Sequence, residues 1–324
     1  MEVEQTNSSG NSTEIKDSIL SDTLQMAVTI VLLVYICTVN TLTLATVRLN
    51  KTLWTVPNMY IVSLAVADLL TGLTVSFHVM HFIPEVKWML DQNKYLRLFR
   101  HSLFFIMLGG SLTNMVLVAF DRWACITFPF EYQRLATIPK AGILIMFGWI
   151  FSIFFGTVPL YINNWKPGVR CLFFKVLNME FQVYAQGGYF IMCSIINAIC
   201  YGHIFRIAKQ QKKVLLRLTQ VGDKQANKKR MMTFKRDWEL AVMFSIVFGV
   251  FVLCCAPAFF YVTIAYTVGV PEMVKSFTVP LLLTNSGMNF VIYSVKNSMF
   301  RAALKATCSN RRTTVVRPMN SSSP

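Results

Sequence analysis

The fold is decided by residues 111–130, which read SLTNMVLVAFDRWACITFPF. The run from Leu103 to Phe120 carries no charge, and it ends in an adjacent acid and base, Asp121 and Arg122. Its length is about the 17–25 residues that cross a bilayer as a helix. This stretch therefore predicts a membrane-spanning helix that ends at a charged pair.

Six further apolar runs accompany this one in a chain of 324 residues. The chain is 54% hydrophobic and 14% charged, whereas a water-soluble domain carries roughly a quarter charged residues. The alternating pattern of barrel strands is absent from the sequence, so helices are the spanning form that remains. We predict an all-α membrane protein, a seven-transmembrane helix bundle, with spans at 24–47, 57–82, 98–126, 141–162, 183–208, 240–268 and 274–295.

Lys and Arg residues are distributed unevenly between the two sides of the predicted bundle. Nine of the 31 precede the first span or follow the second, fourth and sixth, and the others follow the odd-numbered spans. Because positive residues accumulate on the cytoplasmic side, we expect an extracellular N-terminus (1–23), a helix domain (24–308) and a cytoplasmic tail (309–324). The triplets that begin at Asn7 and Asn11 predict glycosylation of the outer segment.

Asp68 is an acid within the second predicted span, where an ionised group is costly unless it has a partner or a function. Ser111 in the third span, and Asn285 and Asn289 in the seventh, could face it. A carboxylate among hydroxyl and amide oxygens suits a small hard cation such as Na⁺. The alternative is a hydrogen-bonded network that only holds the helices together. We predict no other metal site and no organic cofactor.

The pair Asp121–Arg122 lies at the cytoplasmic end of the third span. The helix macrodipole favours a base there and disfavours an acid. Asp121 must therefore be stabilised by Arg122 or be present for a function. One interpretation is an interfacial pair that marks where the helix leaves the membrane. The other is a latch, in which Asp121 holds Arg122 until a competitor such as Asp237 or Glu239 takes it. Pro257 should kink the sixth span, either as fixed shape or as a hinge.

Other function classes find little support in the sequence. The basic run 206–236 lies between two spans, which favours contact with anionic membrane lipid over nucleic acid. None of the four histidines has an acid or cysteine partner at an interpretable spacing, so we predict no catalytic site. The paired repeats or charged pore rings of a transporter or channel are also not evident.

The cysteines indicate membrane attachment rather than a disulfide framework. Cys171 alone falls in a predicted outer loop, so no extracellular intrachain bridge is expected. Cys308 follows the amphipathic stretch 297–307, which suits a short helix on the inner leaflet. We predict palmitoylation of Cys308, and an ordinary cytosolic cysteine is the alternative.

Residues 24–308 resemble the rhodopsin-like (class A) G-protein-coupled receptors. DRW stands where that family has Asp-Arg-Tyr, CCAP stands for Cys-Trp-x-Pro, and NFVIY stands for Asn-Pro-x-x-Tyr. Within the family the chain looks most like the branch of adenosine, melanocortin, cannabinoid and lysophospholipid receptors. The matching residues occur in the family's order and are Asn40, Asp68, Asp121, Arg122, Trp149, Tyr201, Pro257 and Tyr293.

The resemblance implies a plasma-membrane receptor that passes an extracellular signal to a heterotrimeric G protein. It favours the latch, with Asp237 holding Arg122 at rest, and it favours sodium binding by the residues around Asp68. Cys255 replaces the family's switch tryptophan beside Pro257, so a constitutively active or non-signalling protein is an alternative, and a transporter is a weaker one. The residues implied in G-protein coupling are Asp121, Arg122, Tyr201, Asp237 and Tyr293.

The outer end of the third span indicates the ligand. Arg100 and His101 follow Arg97 by three and four residues, so each shares a helix face with it. Lysophospholipid receptors place a phosphate-binding arginine at the position of Arg100, which implies an anionic amphiphile. The alternative is a set of basic anchors among lipid headgroups. Phe104 stands where amine receptors carry an aspartate, which argues against a biogenic amine. The predicted ligand-binding residues are Arg100, His101, Phe104, Phe173 and Phe260.

Overall fold

The computed structural model describes residues 4–80, 83–166, 176–218, 224–268 and 272–309. These residues form helices and no named strand. The helices are α1 (Glu4–Leu49), α2 (Val56–Met80), α3 (Pro84–Gln92), α4 (Lys94–Thr127), α5 (Pro129–Leu135), α6 (Ile138–Gly156), α7 (Val158–Tyr161), α8 (Gly187–Leu218), α9 (Lys224–Thr267), α10 (Glu272–Lys296) and α11 (Ser298–Cys308). A 3₁₀ turn at Lys51–Leu53 follows α1, and a π-helical segment at Glu180–Gln186 leads into α8.

Seven of these helices correspond to the predicted spans: α1, α2, α4, α6, α8, α9 and α10. Within the described part of the chain, the first six are long and apolar enough to cross a membrane. The seventh, α10, has 25 residues. Its apolar character is diluted by Asn285, Ser286 and Asn289, which are buried inside the bundle. The predicted seven-helix bundle is confirmed.

Two helices begin far earlier than their predicted spans. Helix α1 begins at Glu4 rather than Leu24, and α9 begins at Lys224 rather than Leu240. The added segments contain no proline, and the α9 segment is rich in Lys, Arg, Gln and Met, which favour helix. Hydrophobicity marks where a helix can enter the membrane, and it does not mark where the helix ends.

Helix α4 is central, because it packs against α2, α6, α8 and α9. Small residues bring α6 close to it. A Cβ added at Gly156 would lie 2.5 Å from the backbone nitrogen of Ile106, and one at Gly148 would lie 2.8 Å from the Thr113 side chain. Such residues let helix backbones approach closely in a membrane bundle. Trp149 of α6 completes the contact and donates a 3.0 Å hydrogen bond to Ser63 of α2.

The predicted amphipathic helix is α11. Asn297 caps its start by accepting a hydrogen bond from the amide of Phe300 at 3.1 Å. Phe300 is buried, and Asn50, just after α1, donates a 3.0 Å hydrogen bond to Thr307. Helix α11 is therefore fixed to the bundle, and Cys308 at its end is exposed.

Candidate functional site

The two ends of the bundle carry different chemistry, and we name them by an arginine of α4. The Arg122 end holds the last turns of α4 together with α5 and α11. The Arg100 end is the opposite one, where α4 begins. Between them lies the buried carboxylate of Asp68.

Arg122 is 2% exposed and forms a closed network with two neighbours. Its Nε donates to Asp121 Oδ2 at 2.9 Å, and its Nη2 contacts the same oxygen. Tyr132 of α5 donates to Asp121 Oδ1 at 2.9 Å and accepts from Arg122 Nη2 at 3.0 Å. The guanidinium also lies 5.9 Å from the Tyr132 ring centroid. All three residues are thus held in one charge-assisted network.

Tyr132 was not identified from the sequence. Pro129 begins the short helix that carries it, and this helix turns the hydroxyl back towards Asp121. Burial, with a contribution from Asp121, raises the pKa of Tyr132 above its usual value despite the opposing effect of Arg122, so the hydroxyl stays protonated. A tyrosine shortly after the charged pair was the available signal, but spacing alone does not predict the turn.

Asp237 does not pair with Arg122, contrary to the prediction. Its Oδ1 lies 3.5 Å from the Nε of its neighbour Arg236. Asp237 and Arg122 line the same cavity of about 310 Å³, together with Tyr132 and Lys296. Asp121 is adjacent to Arg122 in sequence and accepts a hydrogen bond from Tyr132. These two features explain why Arg122 pairs with Asp121 and not with Asp237.

Two further predicted coupling residues are buried near this end. Tyr293 is 1% exposed, lies 6.4 Å from Phe244 and 6.0 Å from Phe300 (ring centroids), and its hydroxyl has no hydrogen-bond partner among the described residues. Tyr201 is buried and stacks on Phe248. The structure therefore places both tyrosines in the bundle core, and neither bonds Arg122.

Asp68 is fully buried at the centre of the bundle. It accepts a 2.8 Å hydrogen bond from Asn289 and a 3.5 Å contact from Ser111. The side-chain oxygen of Asn285 is buried and, within the described part of the chain, has no hydrogen-bond partner. Asn40 donates to the Ser286 carbonyl at 2.9 Å and holds α10 nearby. An unsatisfied oxygen on the same helix as Asn289 is what a hard cation would use.

The predicted switch residues lie in α9. Cys255 is completely buried, and Pro257 sits inside a helix that continues to Thr267. The proline removes one backbone donor from this helix but does not end it.

The Arg100 end contains buried N–H donors that lack acceptors. The Nη1 of Arg100, the Nε1 of Trp165 and the Nε2 of Gln182 are buried without a hydrogen-bond partner in the described residues. Arg97, a second cation, is 4% exposed. A buried polar group without a partner costs free energy, so such donors indicate a place for a ligand with acceptor atoms.

Aromatic side chains also cluster at this end of the bundle. Phe104 and Phe105 lie with ring centroids 5.9 Å apart, and Phe105 lies 5.9 Å from Phe181. Trp165 packs against the same apolar cluster. His101 is half-buried beside Arg100, and Phe173 lies outside the described residues.

Phe260 does not belong to this group, which corrects the prediction. Its side chain is 67% exposed on the outer surface of α9. Phe259 points inward instead and stacks on Phe190 with ring centroids 4.3 Å apart. Consecutive residues on a helix face different directions, so only one of the two can face the interior.

Comparison of the sequence with known protein families agrees with this geometry. The sequence model of the family described as "7 transmembrane receptor (rhodopsin family)" matches residues 39–293. All the motif residues from Asn40 to Tyr293 lie inside the match. The chain belongs to the rhodopsin family of seven-transmembrane receptors.

Several curated rhodopsin-family receptors are similar over most of the chain. The histamine H2 receptor of Rattus norvegicus is 26% identical, covering 88% of this chain and 78% of its own. Adenosine receptor A3 of Ovis aries is 26% identical, covering 85% and 86%. Trace amine-associated receptor 13c of Danio rerio is 25% identical, covering 82% and 80%. The adenosine receptor lies in the predicted branch, and the other two lie outside it.

This rhodopsin-family protein is therefore a G-protein-coupled receptor and a multi-pass protein of the plasma membrane. The family assignment confirms the predicted function class, and it agrees with a receptor rather than an enzyme. The relatives bear different ligand names, so similarity alone does not name the ligand of this receptor.

Proposed function

We propose that this receptor binds an anionic amphiphile at the Arg100 end and couples to its G protein at the Arg122 end. The N-terminus would be extracellular, which the uneven distribution of Lys and Arg supports. The observation that carries the ligand class is the buried Nη1 of Arg100, which has no acceptor in the described residues.

The donor set favours an anion over a cation. Arg100, Trp165 and Gln182 all offer N–H groups, and Arg97 adds a second positive charge. A phosphate or carboxylate would satisfy the Arg100 donor, because arginine can bind it with two parallel hydrogen bonds. The Arg100 guanidinium would repel an ammonium ligand.

The aromatic cluster favours an apolar tail. Phe104 follows Arg100 by one helical turn. Phe105 and Phe181 share an apolar cluster with Trp165, so the head and tail of one molecule could be recognised together. Two of the three relatives described above are named for amines. At Phe104 this receptor offers a ring and no carboxylate, so the amine class does not transfer to it.

A ligand screen tests the proposal. Cells that express the receptor and a G-protein activation sensor would receive lysophosphatidic acid, fatty acids and uncharged monoacylglycerols of matched chain length. We expect an anionic member to activate the receptor and the uncharged counterpart to fail.

Two variants sharpen this screen. Arg100→Ala should weaken the anionic agonist by more than about tenfold, the loss expected for a charge-assisted hydrogen bond. Lys166→Ala removes an exposed charge at the same end and should leave potency unchanged. A cationic agonist, or unchanged potency in Arg100→Ala, would show that the ligand class is wrong.

Coupling would proceed through release of Arg122. At rest Asp121 and Tyr132 hold the guanidinium, and the cavity beside it is bounded by α9 residues such as Asp237. Movement of α9 away from α4 would widen this cavity and let a G-protein segment reach the arginine. The competing idea, a constitutively active protein, predicts high basal signalling that no ligand increases.

Two covalent modifications and one ion complete the proposal. Asn7 and Asn11, whose side chains lie outside the described part, would be glycosylated. Cys308 would be palmitoylated, since α11 presents it exposed beside a buried apolar face; equal acyl-exchange labelling of wild type and Cys308→Ala would contradict this. Sodium would be held by oxygens of Asp68, Ser111 and, after reorientation, its asparagine neighbours.

A further inference from the structure

Trp123, the residue directly after Arg122, reaches across to a different helix. Its indole Nε1 donates a 2.9 Å hydrogen bond to Nδ1 of His203 on α8. The two rings lie 6.3 Å apart. The indole N–H is the donor, so Nδ1 of His203 is the acceptor of this hydrogen bond.

The Trp123 ring is also fixed from its own helix end. It meets Phe120 edge-on with ring centroids 6.2 Å apart and Phe128 with centroids 5.6 Å apart. These T-shaped contacts favour one ring orientation. The indole N–H is thus held in the direction of His203, which makes the hydrogen bond a link between two positioned groups.

A second side-chain hydrogen bond follows the same seam. Gln211 of α8 donates to the Ile126 carbonyl of α4 at 2.9 Å. The ring contact that joins α8 to α9 at this end is different in kind, since Phe205 and Trp238 meet as apolar rings with centroids 5.2 Å apart. Hydrogen bonds depend on direction and length, whereas ring packing tolerates sliding.

We infer that Trp123 and His203 form a positioning pair that restrains basal signalling. The pair joins α8 to the turn of α4 that presents Arg122, in the arrangement where Asp121 and Tyr132 close on that arginine. A shift of α8 away from this turn must lengthen the bond. The inference rests on the proposal that the Arg122 end couples to the G protein.

Loss of the pair should shift the resting equilibrium by the free energy of one hydrogen bond. We expect basal nucleotide exchange to rise about two- to tenfold. The test uses full-length receptor in lipid nanodiscs with purified G protein. Trp123→Phe removes the donor and keeps a ring, and His203→Phe does the same for the acceptor.

The combination of variants separates a restraint from general damage. Each single variant should raise basal exchange, and the double variant should rise no further than the larger single effect. His203→Asn offers an oxygen near the position of Nδ1, so it should fall closer to wild type than His203→Phe. The proposed restraint would be overturned by any one of three results. The single effects on basal exchange could be additive, neither single variant could raise it, or His203→Asn and His203→Phe could raise it equally.

A readout that needs no G protein separates this inference from the coupling proposal. In receptor labelled with ¹⁵N-histidine, the His203 signal, assigned by its loss in His203→Asn, should show an accepting Nδ1 that changes in Trp123→Phe. An unchanged signal would overturn the hydrogen bond itself. Arg122→Ala in the same exchange assay tests coupling, since normal exchange there refutes the coupling site whatever the pair does.

Discussion

Arg122 is held by two residues of known geometry, and this makes its restraint testable. Tyr132→Phe removes the hydroxyl that bridges Asp121 and Arg122, so basal signalling should rise several-fold. Asp237→Ala should change it less, because Asp237 does not bond the arginine. Basal G-protein activation at matched surface expression is the measurement. If basal activation rose more in Asp237→Ala than in Tyr132→Phe, Asp237 on α9 would be the main restraint on Arg122.

Removal of Arg122 itself should have the opposite result. Arg122→Ala is expected to abolish coupling while surface expression stays near normal, because Asp121 can keep its bond to Tyr132. Full coupling by a well-expressed variant would exclude the arginine as the G-protein contact.

Asp68 gives a second prediction for single residues. If sodium binds its oxygens, NaCl should raise the melting temperature of the purified receptor above that in an equal concentration of choline chloride. Asp68→Asn removes the carboxylate that Asn289 and Ser111 contact and should abolish the difference. If sodium raised the melting temperature equally in both proteins, the Asp68 network would not be a sodium site and would serve only to link the helices.

At the scale of elements, Gly156 tests the close contact of α6 with α4. A Cβ there would meet the backbone of Ile106 at 2.5 Å, so Gly156→Ala must push the helices apart. We expect a loss of about 1–3 kcal/mol in stability, seen as a lower melting temperature and reduced surface expression. Gly142→Ala on the same helix is the matched control, because nothing lies within 4 Å of its added Cβ. Equal melting temperatures for the two variants would contradict the packing argument.

The elements themselves were largely predictable, because apolar runs of membrane length identify spans directly. Helix ends were less so: α9 continues through a basic segment in which no hydrophobic signal exists. Side-chain direction was the other gap. Phe259 rather than Phe260 faces the core, and an error of one residue, less than a third of a turn, is within the uncertainty of any predicted helix start.

Contacts between distant segments were beyond the reach of sequence patterns. Tyr132 reaches Asp121 through a turn between helices, and Trp123 meets His203 across 80 positions of chain. Asp68 and Asn289 could be proposed as neighbours because both are polar residues within predicted spans, and the family resemblance favoured the same grouping. Residue type and spacing predicted which polar side chains need hydrogen-bond partners. Which residues serve as those partners depends on how the helices pack.

At the scale of the whole molecule, charge asymmetry implies one orientation across the membrane. Most of the 31 Lys and Arg residues lie at the Arg122 end and in the segments that join it. This end should face the cytoplasm, where the anionic leaflet attracts them. The ligand proposal and the coupling proposal both require this orientation, since Arg100 must then face the outside and Arg122 the G protein.

Glycosylation provides the test of orientation, because only segments that enter the secretory lumen are modified. The triplets at Asn7 and Asn11 precede α1's membrane segment, whereas further triplets begin at Asn50, just after α1, and at Asn320, which follows α11. Enzymatic removal of N-glycans should increase the gel mobility of wild-type receptor, and the double variant Asn7→Gln/Asn11→Gln should already migrate at the faster position. Asn320→Gln is the control with an identical change in chemistry, and its mobility should match wild type before and after treatment. A shift that depends on Asn320 would place the C-terminus outside and invert the molecule, and with it both ends of the proposed signalling path.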